Sequence, residues 1–176
     1  MTKICHVIRQ CIIYSLVVVI GLTQPLTTLS IANANLPLAV DGTTNTQIDK
    51  AANGVPIVNI AAPNAGGLSH NKFIDYNVNK SGLILNNATK SPDQIINTKI
   101  GGLITDNPNL KNSNSARIIL NEVTSTNKTY LNGYTEIGGS KADLIIANPN
   151  GITINGAGFI NTNRLTAVTG SSNLHN

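Results

Sequence analysis

Residues 142–160, ADLIIANPNGITINGAGFI, predict two short β-strands joined by a tight turn. The ring of Pro149 holds φ near about −65°, which suits the second residue of a type I turn, and Gly151 suits the fourth. The flanking Asn148 and Asn150 can hydrogen-bond nearby backbone amides. We therefore expect a rigid, solvent-facing corner. Because the apolar runs on either side are rich in β-branched residues and too short for helices, a chain of such units would wind as a coil.

Short apolar runs of the same kind recur between segments rich in Asn, Gly and Ser. The Asn-Pro-Asn triplet also occurs twice, at residues 107–109 and 148–150, 41 residues apart. At about 20 residues per coil, this spacing predicts equivalent corners two coils apart in a parallel β-helix. An antiparallel sandwich is the alternative, but its hairpin signal, Asn-Gly flanked by alternating residues, is found only near Asn155-Gly156. The predicted strands include 83–85, 95–96, 103–104, 118–120, 144–146, 152–154 and 165–168.

The composition supports an all-β solenoid. Charged residues make up 11% of the chain and aromatic residues 3%, and its 26 Asn favour turns and strands over helices. In a solenoid, Asn at equivalent corners would form hydrogen-bonded ladders. Residues 35–80 differ from the rest in composition and are the predicted N-terminal cap. No comparable cap is visible after residue 170, so we expect a domain truncated at its C-terminus.

The N-terminus has the three parts of a secretory signal peptide. Lys3 and Arg9 supply positive charge, residues 11–22 are apolar, and Ala32-Asn33-Ala34 fits a cleavage site, so the predicted peptide is 1–34. A membrane anchor is the alternative, but the apolar run is shorter than the roughly 20 residues that span a bilayer. Cleavage removes both cysteines and lowers the formal net charge from +4 to +2. Nucleic-acid binding and stable membrane insertion are therefore not expected.

Few residues of the mature chain suit catalysis or metal binding. The remaining histidines are His70 and His175, which excludes histidine-rich metal motifs. Ser69 and His70 are adjacent, and on a strand they would point to opposite faces, which disfavours a nucleophile and base pair. Residues 138–143, GGSKAD, begin like a calcium-binding repeat but have Lys141 where glycine is needed. We expect no enzyme activity, no metal and no cofactor.

The mature chain contains four motifs that can be compared with known families: GVPIVNIAAPNAGGLSHNKFIDYNV at 54–78, NPNL at 107–110, ARIILNEVTS at 116–125 and LNGYTEIGGSKADLIIANPNGITINGAGFINTNRLTAVTG at 131–170. Together they resemble the secretion (haemagglutination activity) domain at the N-terminus of two-partner secretion (TPS) exoproteins. This family includes filamentous haemagglutinin, large haemolysins and contact-dependent inhibition toxins. The resemblance implies a right-handed parallel β-helix with an N-terminal β cap over residues 35–176. It also implies recognition by a partner outer-membrane β-barrel transporter through its POTRA domains.

One departure from the family concerns cysteines. Some haemolysin-like members carry a Cys pair just after the second Asn-Pro-Asn turn, and this chain has Ile154 and Ala157 there. The leading hypothesis is a secretion-targeting module of a secreted or cell-surface adhesin, haemolysin or toxin, exported through the periplasm and outer membrane. Contact with host or neighbouring cells would belong to a missing C-terminal region. A β-helix enzyme that cleaves polysaccharide and a stand-alone glycan-binding adhesin are the alternatives.

The resemblance and the turn chemistry select one set of candidate residues, the two Asn-Pro-Asn turns. Loss of these residues is expected to impair export. Two roles stay open for them, direct contact with the transporter or support of the fold alone. The candidates are Asn107, Pro108, Asn109, Leu110, Asn148, Pro149, Asn150, Gly151 and Ile152.

Overall fold

The computed structural model describes residues 37–89 and 95–170. The predicted signal peptide, residues 1–34, lies outside the described residues. Apart from a short 3₁₀ turn at Pro108–Leu110, the regular elements are β-strands. The strands are β1 Ala39–Val40, β2 Gln47–Lys50, β3 Pro56–Asn59, β4 Leu68–Asp75, β5 Leu83–Asn87, β6 Ile96–Thr98, β7 Gly102–Ile104, β8 Ile118–Val123, β9 Thr129–Leu131, β10 Tyr134–Gly139, β11 Ala142–Ala147, β12 Ile152–Ile154, β13 Gly158–Ile160 and β14 Thr162–Val168.

The strands wind as successive coils whose equivalent strands pair in parallel. One sheet has the order β1-β4-β8-β11-β14, a second has the order β13-β10-β5-β3-β2, and β9 pairs with β12 in a third. Each complete coil contributes one strand to each sheet, for example β10, β11 and β12. Ile118 pairs with Asp143, 25 residues later, which is one turn of the coil. The predicted parallel β-helix is confirmed.

The core fills the space between the sheets with stacked side chains. Ile119, Leu144 and Leu165 are register partners in the first sheet, and the first two are fully buried. Leu83, Leu85 and Ile137 belong to the same apolar cluster from the second sheet. Each fully buried aliphatic side chain of this kind contributes roughly 1.5–3 kcal/mol.

The described residues include no helix with the length and apolarity that crossing a bilayer requires.

The N-terminal cap is shorter than the predicted 35–80. Only β1 and β2 pair antiparallel with the helix, β1 with β4 and β2 with β3. Strands β3 and β4 already belong to parallel ladders with β5 and β8. The turn between β2 and β3 contains Asn53-Gly54, in which Gly54 has φ +87° and donates to the carbonyl of Ala51 at 2.8 Å. The expectation that Asn155-Gly156 was the only flanked hairpin signal is therefore wrong.

A hairpin between β5 and β8 doubles the length of one coil. Its strands, β6 and β7, pair antiparallel and lie over the outer face of the second sheet. Ile104 of the hairpin packs there with Ile57 and Ile84 in a second apolar cluster. Ile84 consequently pairs with Glu136, 52 residues later, instead of about 25. The Asn-Pro-Asn spacing of 41 residues therefore does not measure two coils, and that prediction is wrong.

Candidate functional site

The first Asn-Pro-Asn turn, Asn107 to Leu110, is closed by local hydrogen bonds. Leu110 N–H donates to the Asn107 carbonyl at 3.0 Å, and Asn109 N–H donates to Asn107 Oδ1 at 2.9 Å. Pro108, at the start of the 3₁₀ turn, has no amide hydrogen to leave unpaired and is exposed. The Leu110 side chain is fully buried. The turn is thus anchored at both ends.

Asn107 joins two coils through its side chain, which is fully buried. Its amide donates to the carbonyls of Ile60 at 2.9 Å and Asn86 at 2.8 Å. Its own backbone N–H donates to the Ala88 carbonyl at 3.0 Å. All of these partners lie earlier in the chain, so the turn locks the long coil onto the strands that precede it.

Asn109 fastens the same turn to the cap. It exchanges two hydrogen bonds with Asn45, donating to its carbonyl at 2.7 Å and accepting from its side-chain amide at 2.9 Å. Its amide also lies 3.2 Å from the carbonyls of Asn59 and Ile60. A single turn therefore connects the loop before β2, the end of β3 and the segment that leads to β8.

The second turn, Asn148 to Gly151, repeats this chemistry at another corner. Gly151 N–H donates to the Asn148 carbonyl at 3.1 Å and Asn150 N–H donates to Asn148 Oδ1 at 2.9 Å, which confirms the predicted tight turn. The fully buried Asn148 amide donates to the Asn127 carbonyl and to Thr129 Oγ1, both at 2.9 Å. The turn links β11 to β12, whereas the first lies between β5 and β8, so the two corners are not equivalent.

The residues after Asn148 extend the connection to the preceding coil. The Asn150 amide donates to the Ser125 carbonyl at 2.7 Å. Ile152 is the register partner of Thr129 and packs against the main core. Pro149 is exposed and Gly151 half-buried, with φ +108°. Five of the candidates therefore form one corner built from two coils.

The prediction of solvent-facing corners is wrong for Asn107 and Asn148. Asn107 and Asn148 are both fully buried, because their amides reach carbonyls of an adjacent coil. Pro108 and Pro149 are exposed, and Asn109 and Asn150 are half-buried. In the folded domain, a large partner could touch the prolines but not the two buried amides.

Other asparagines, which the sequence alone did not single out as site residues, connect the coils in the same way. Asn86 donates to Oδ1 of its register partner Asn59 at 2.9 Å, a single hydrogen bond of the kind that an asparagine ladder would repeat. The fully buried Asn87 accepts from Ala116 N–H at 2.7 Å and donates to the Ser140 carbonyl at 2.9 Å. The repeated Ile-Leu-Asn at 84–86 and 119–121 was the sequence signal for Asn86, and Asn87 lies outside that repeat.

A structural role for Glu136 was also not predicted from the sequence. It is 4% exposed, and its two carboxylate oxygens accept the backbone N–H groups of Lys99 and Ile100 at 2.8 and 2.9 Å. These two residues form the tip of the β6–β7 hairpin. No local sequence motif predicts that Glu136 binds the hairpin, because its hydrogen-bond partners lie 36 and 37 residues earlier.

Ser69 and His70 point to opposite faces of β4, as predicted. Ser69 is fully buried and donates to the Ala61 carbonyl at 2.7 Å, whereas His70 faces outward, 2.7 Å from a Glu122 carboxylate oxygen. Across residues 37–89 and 95–170, no three His, Cys, Asp or Glu side chains are close enough together to hold a metal ion. The buried asparagines and Glu136 thus form hydrogen bonds that connect neighbouring segments of the β-helix.

Comparison with known proteins assigns the family. A family model described as "TPS secretion domain" matches residues 37–176, four fifths of the chain. The chain belongs to the TPS secretion domain family. The crystal structure of the filamentous hemagglutinin secretion domain is similar, with 46% identity and a TM-score of 0.69 over 78% of this chain and 44% of that one.

Two curated relatives show how this TPS secretion domain relates to longer proteins. The "16S rRNA endonuclease CdiA" of Enterobacter cloacae subsp. cloacae is 61% identical over 72% of the chain. The "Filamentous hemagglutinin" of Bordetella pertussis is 50% identical over 71% of the chain. The chain spans only 4% and 3% of these two relatives.

Membership of the TPS secretion domain family indicates the general function of the chain. The chain is a secretion module, and a two-partner system implies a partner transporter. TPS exoproteins are secreted or surface-associated in Gram-negative bacteria. The nuclease names of the CdiA relatives refer to regions outside the TPS domain.

Proposed function

We propose that this chain is the segment by which a large exoprotein is recognised by its partner outer-membrane β-barrel transporter, through the transporter's periplasmic POTRA domains. The observation that carries the proposal is the TPS secretion domain match over residues 37–176. The signal peptide proposed at residues 1–34 would deliver the chain to the periplasm. Residues 35–176 would then act as the N-terminal portion of the secretion domain and direct export across the outer membrane.

The exoprotein itself belongs, in this proposal, to the toxins. A relative named as a CdiA nuclease reaches 61% identity, whereas filamentous hemagglutinin reaches 50%. An adhesin or haemagglutinin and a haemolysin are the other classes compatible with a TPS domain. In each case the toxic or adhesive activity, and contact with host or neighbouring cells, would reside outside this chain.

The geometry of the two turns supports a division of labour among the nine candidate residues. Asn107 and Asn148 would support export by holding coils together, because a folded domain hides both amides. Pro108 and Pro149 are exposed beside them and are the candidates for direct contact with the transporter. Unfolding of a turn would expose the asparagines as well, so a transporter that captures an unfolded segment could reach all nine.

Binding to isolated POTRA domains tests the proposal. Calorimetric titration of the purified chain with the partner's POTRA domains should show saturable binding, and POTRA domains of an unrelated transporter serve as the control. Pro149→Ala should lower affinity without changing the circular dichroism spectrum. Absence of binding by both the folded chain and the chain held unfolded in urea would refute recognition through POTRA domains.

The same titration separates the two roles of the asparagines. Asn148→Ala and Asn150→Ala should lower secretion when the transporter is co-expressed. If the purified variants were fully folded and bound the POTRA domains like the parent, direct contact by these side chains would be excluded. A loss of thermal stability, with binding intact at low temperature, is the result that a role in the fold predicts.

A further inference from the structure

Four asparagines in the described part of the chain stand directly before a glycine: Asn53, Asn132, Asn150 and Asn155. In an Asn-Gly pair, the backbone nitrogen of the glycine can attack the side-chain amide carbon of the asparagine, because no side chain shields it. Attack requires that the nitrogen and the amide group can both move freely. The four pairs differ in this respect.

Hydrogen bonds hold both reacting groups in place at Asn53. Its amide donates to the Ile100 carbonyl at 2.8 Å, and its Oδ1 accepts from Val55 N–H at 3.2 Å. The attacking nitrogen, that of Gly54, donates to the Ala51 carbonyl at 2.8 Å. Reaction at this pair would require the hairpin turn to open.

Two further pairs are held by the coils. The Asn150 amide donates to the Ser125 carbonyl at 2.7 Å, and the Gly151 nitrogen is bonded within its turn. Asn132 precedes the buried Gly133, whose α-carbon is packed so closely that an added methyl group would overlap the carbonyl oxygen of Asn79. The backbone there has no room to rotate toward the Asn132 side chain.

The Asn155-Gly156 pair has neither the hydrogen bonds that hold Asn53 and Asn150 nor the close packing found at Gly133. Asn155 and Gly156 are both exposed, in the turn between β12 and β13. Within residues 37–89 and 95–170, the Asn155 side chain and the Gly156 nitrogen have no hydrogen-bond partner, and only the Asn155 backbone N–H is bonded, to Leu131. Gly156 has φ +82°, and the nearest atom to a methyl group built on it is the Asn132 carbonyl oxygen at 3.8 Å.

We propose that Asn155 is a site of spontaneous deamidation in the folded protein. The Gly156 nitrogen loses its proton to solvent and bonds to Asn155 Cγ. The bond from Cγ to the side-chain nitrogen breaks, and that nitrogen takes up a proton from solvent and leaves as ammonia. Water then opens the resulting succinimide ring at either carbonyl, which leaves aspartate or isoaspartate at position 155. Neither oxidant nor enzyme is needed.

The modification changes the charge and the length of the turn that leads to β13. Either product adds one negative charge to a chain whose formal net charge is small. Isoaspartate also lengthens the main chain by one methylene within the turn that leads to β13. Within the described residues β13 pairs with β10, so the longer turn should weaken this strand pairing in the purified chain.

Peptide mapping provides the test, with a control inside the same peptide. Trypsin should release residues 142–164, which contain both Asn150-Gly151 and Asn155-Gly156. After incubation of the purified native chain at mildly alkaline pH, fragment-ion mass spectrometry should find the mass gain of deamidation at Asn155. The rate there should exceed that at Asn150 by at least about tenfold, because the hydrogen bonds of Asn150 must first open. Equal rates in the folded chain would overturn the proposal.

Two controls distinguish protection by the fold from an effect of local sequence. In urea, the difference between Asn150 and Asn155 should shrink to within about twofold, because the hydrogen bonds are gone. Asn155→Gln should remove the modification at position 155 without raising the rate at Asn150. A tenfold difference that persists in urea would show that local sequence sets the rates and would contradict the structural argument.

Discussion

The buried amide of Asn148 donates to the hydroxyl of the equally buried Thr129 at 2.9 Å, which ties one coil of the helix to the coil before it. The same amide donates to the Asn127 carbonyl at 2.9 Å, and Asn148 Oδ1 accepts from Asn150 N–H at 2.9 Å. One side chain thus completes its hydrogen bonds with three different residues. Because Thr129 is fully buried, the loss of the Asn148 side chain leaves the Thr129 hydroxyl without this hydrogen bond.

Replacement of Asn148 should therefore destabilise the domain strongly. We expect Asn148→Ala to lower the free energy of unfolding by about 2–4 kcal/mol, measured by urea denaturation. Asn163→Ala is the matched control, because Asn163 is exposed and its side chain has no hydrogen bond within the described residues, so its effect should stay within about 0.5 kcal/mol. Equal effects of the two substitutions would contradict the role assigned to Asn148.

Glu136 should control the β6–β7 hairpin more than the helix. Glu136→Ala leaves the N–H groups of Lys99 and Ile100 without their acceptor, and we expect the hairpin to lose about 1–3 kcal/mol of local stability. Hydrogen exchange should accelerate across residues 96–104 while β8 and β11 stay protected. Glu136→Gln retains one carbonyl oxygen and should restore part of the protection. Unchanged exchange in Glu136→Ala would disprove the anchor.

Asp41 should make stability depend on pH. Burial raises the pKa of its carboxyl group, but hydrogen bonds from Thr43 and Thr124 and the charge of Lys72 outweigh burial, so the pKa lies below its ordinary value of 3.8. A carboxylate with a lowered pKa stabilises the folded state above its unfolded pKa, and this contribution disappears as the pH falls through the folded value.

The stability difference between the parent and Asp41→Asn, measured by urea denaturation, should consequently be largest near neutral pH and should shrink as the pH falls below 3.8 and through the lower folded pKa. Asp49→Asn is the comparison, because Asp49 is exposed, on the edge strand β2. A difference between the parent and Asp41→Asn that did not vary with pH would mean that the charge of Asp41 contributes nothing.

Gly133 should tolerate no side chain. A methyl group there would overlap the carbonyl oxygen of Asn79, which is a backbone atom and cannot swing aside. We expect Gly133→Ala to cost about 1–3 kcal/mol by thermal denaturation. Gly170→Ala is the control, because open space surrounds Gly170, and it should melt like the parent. A Gly133→Ala domain with the parent's melting temperature would show that the loop after β9 can shift freely.

Local chemistry in the sequence predicted the tight turn at residues 148–151 and the strands that contain apolar runs, but not β9, β10 or β13. Asn148-Pro149-Asn150-Gly151 forms the expected tight turn, because proline, asparagine and glycine each favour their positions without help from the rest of the chain. The apolar runs predicted the strands, since β-branched side chains in short runs suit a buried ladder. These features depend on neighbours within a few residues.

Long-range placement could not be predicted in the same way. The burial of Asn107 depends on carbonyls 21 and 47 residues earlier, and the partners of Glu136 lie across an inserted hairpin. The hairpin also lengthens one coil, so the constant coil length that was assumed for the spacing of the two Asn-Pro-Asn turns does not hold. Residues 56–75 looked unlike later coils in composition, yet they already pair in parallel, because backbone hydrogen bonds make little demand on side-chain type.

Export of the chain itself tests the central claim most directly. The 176-residue chain should be expressed in a Gram-negative host with and without its partner transporter, and the amount in the culture medium measured by immunoblot, with a periplasmic protein as the leakage control. We predict that the chain reaches the medium only when the transporter is present, and that Asn148→Ala reduces this amount. Retention of the parent chain in the periplasm despite the transporter, or equal release without it, would contradict the account.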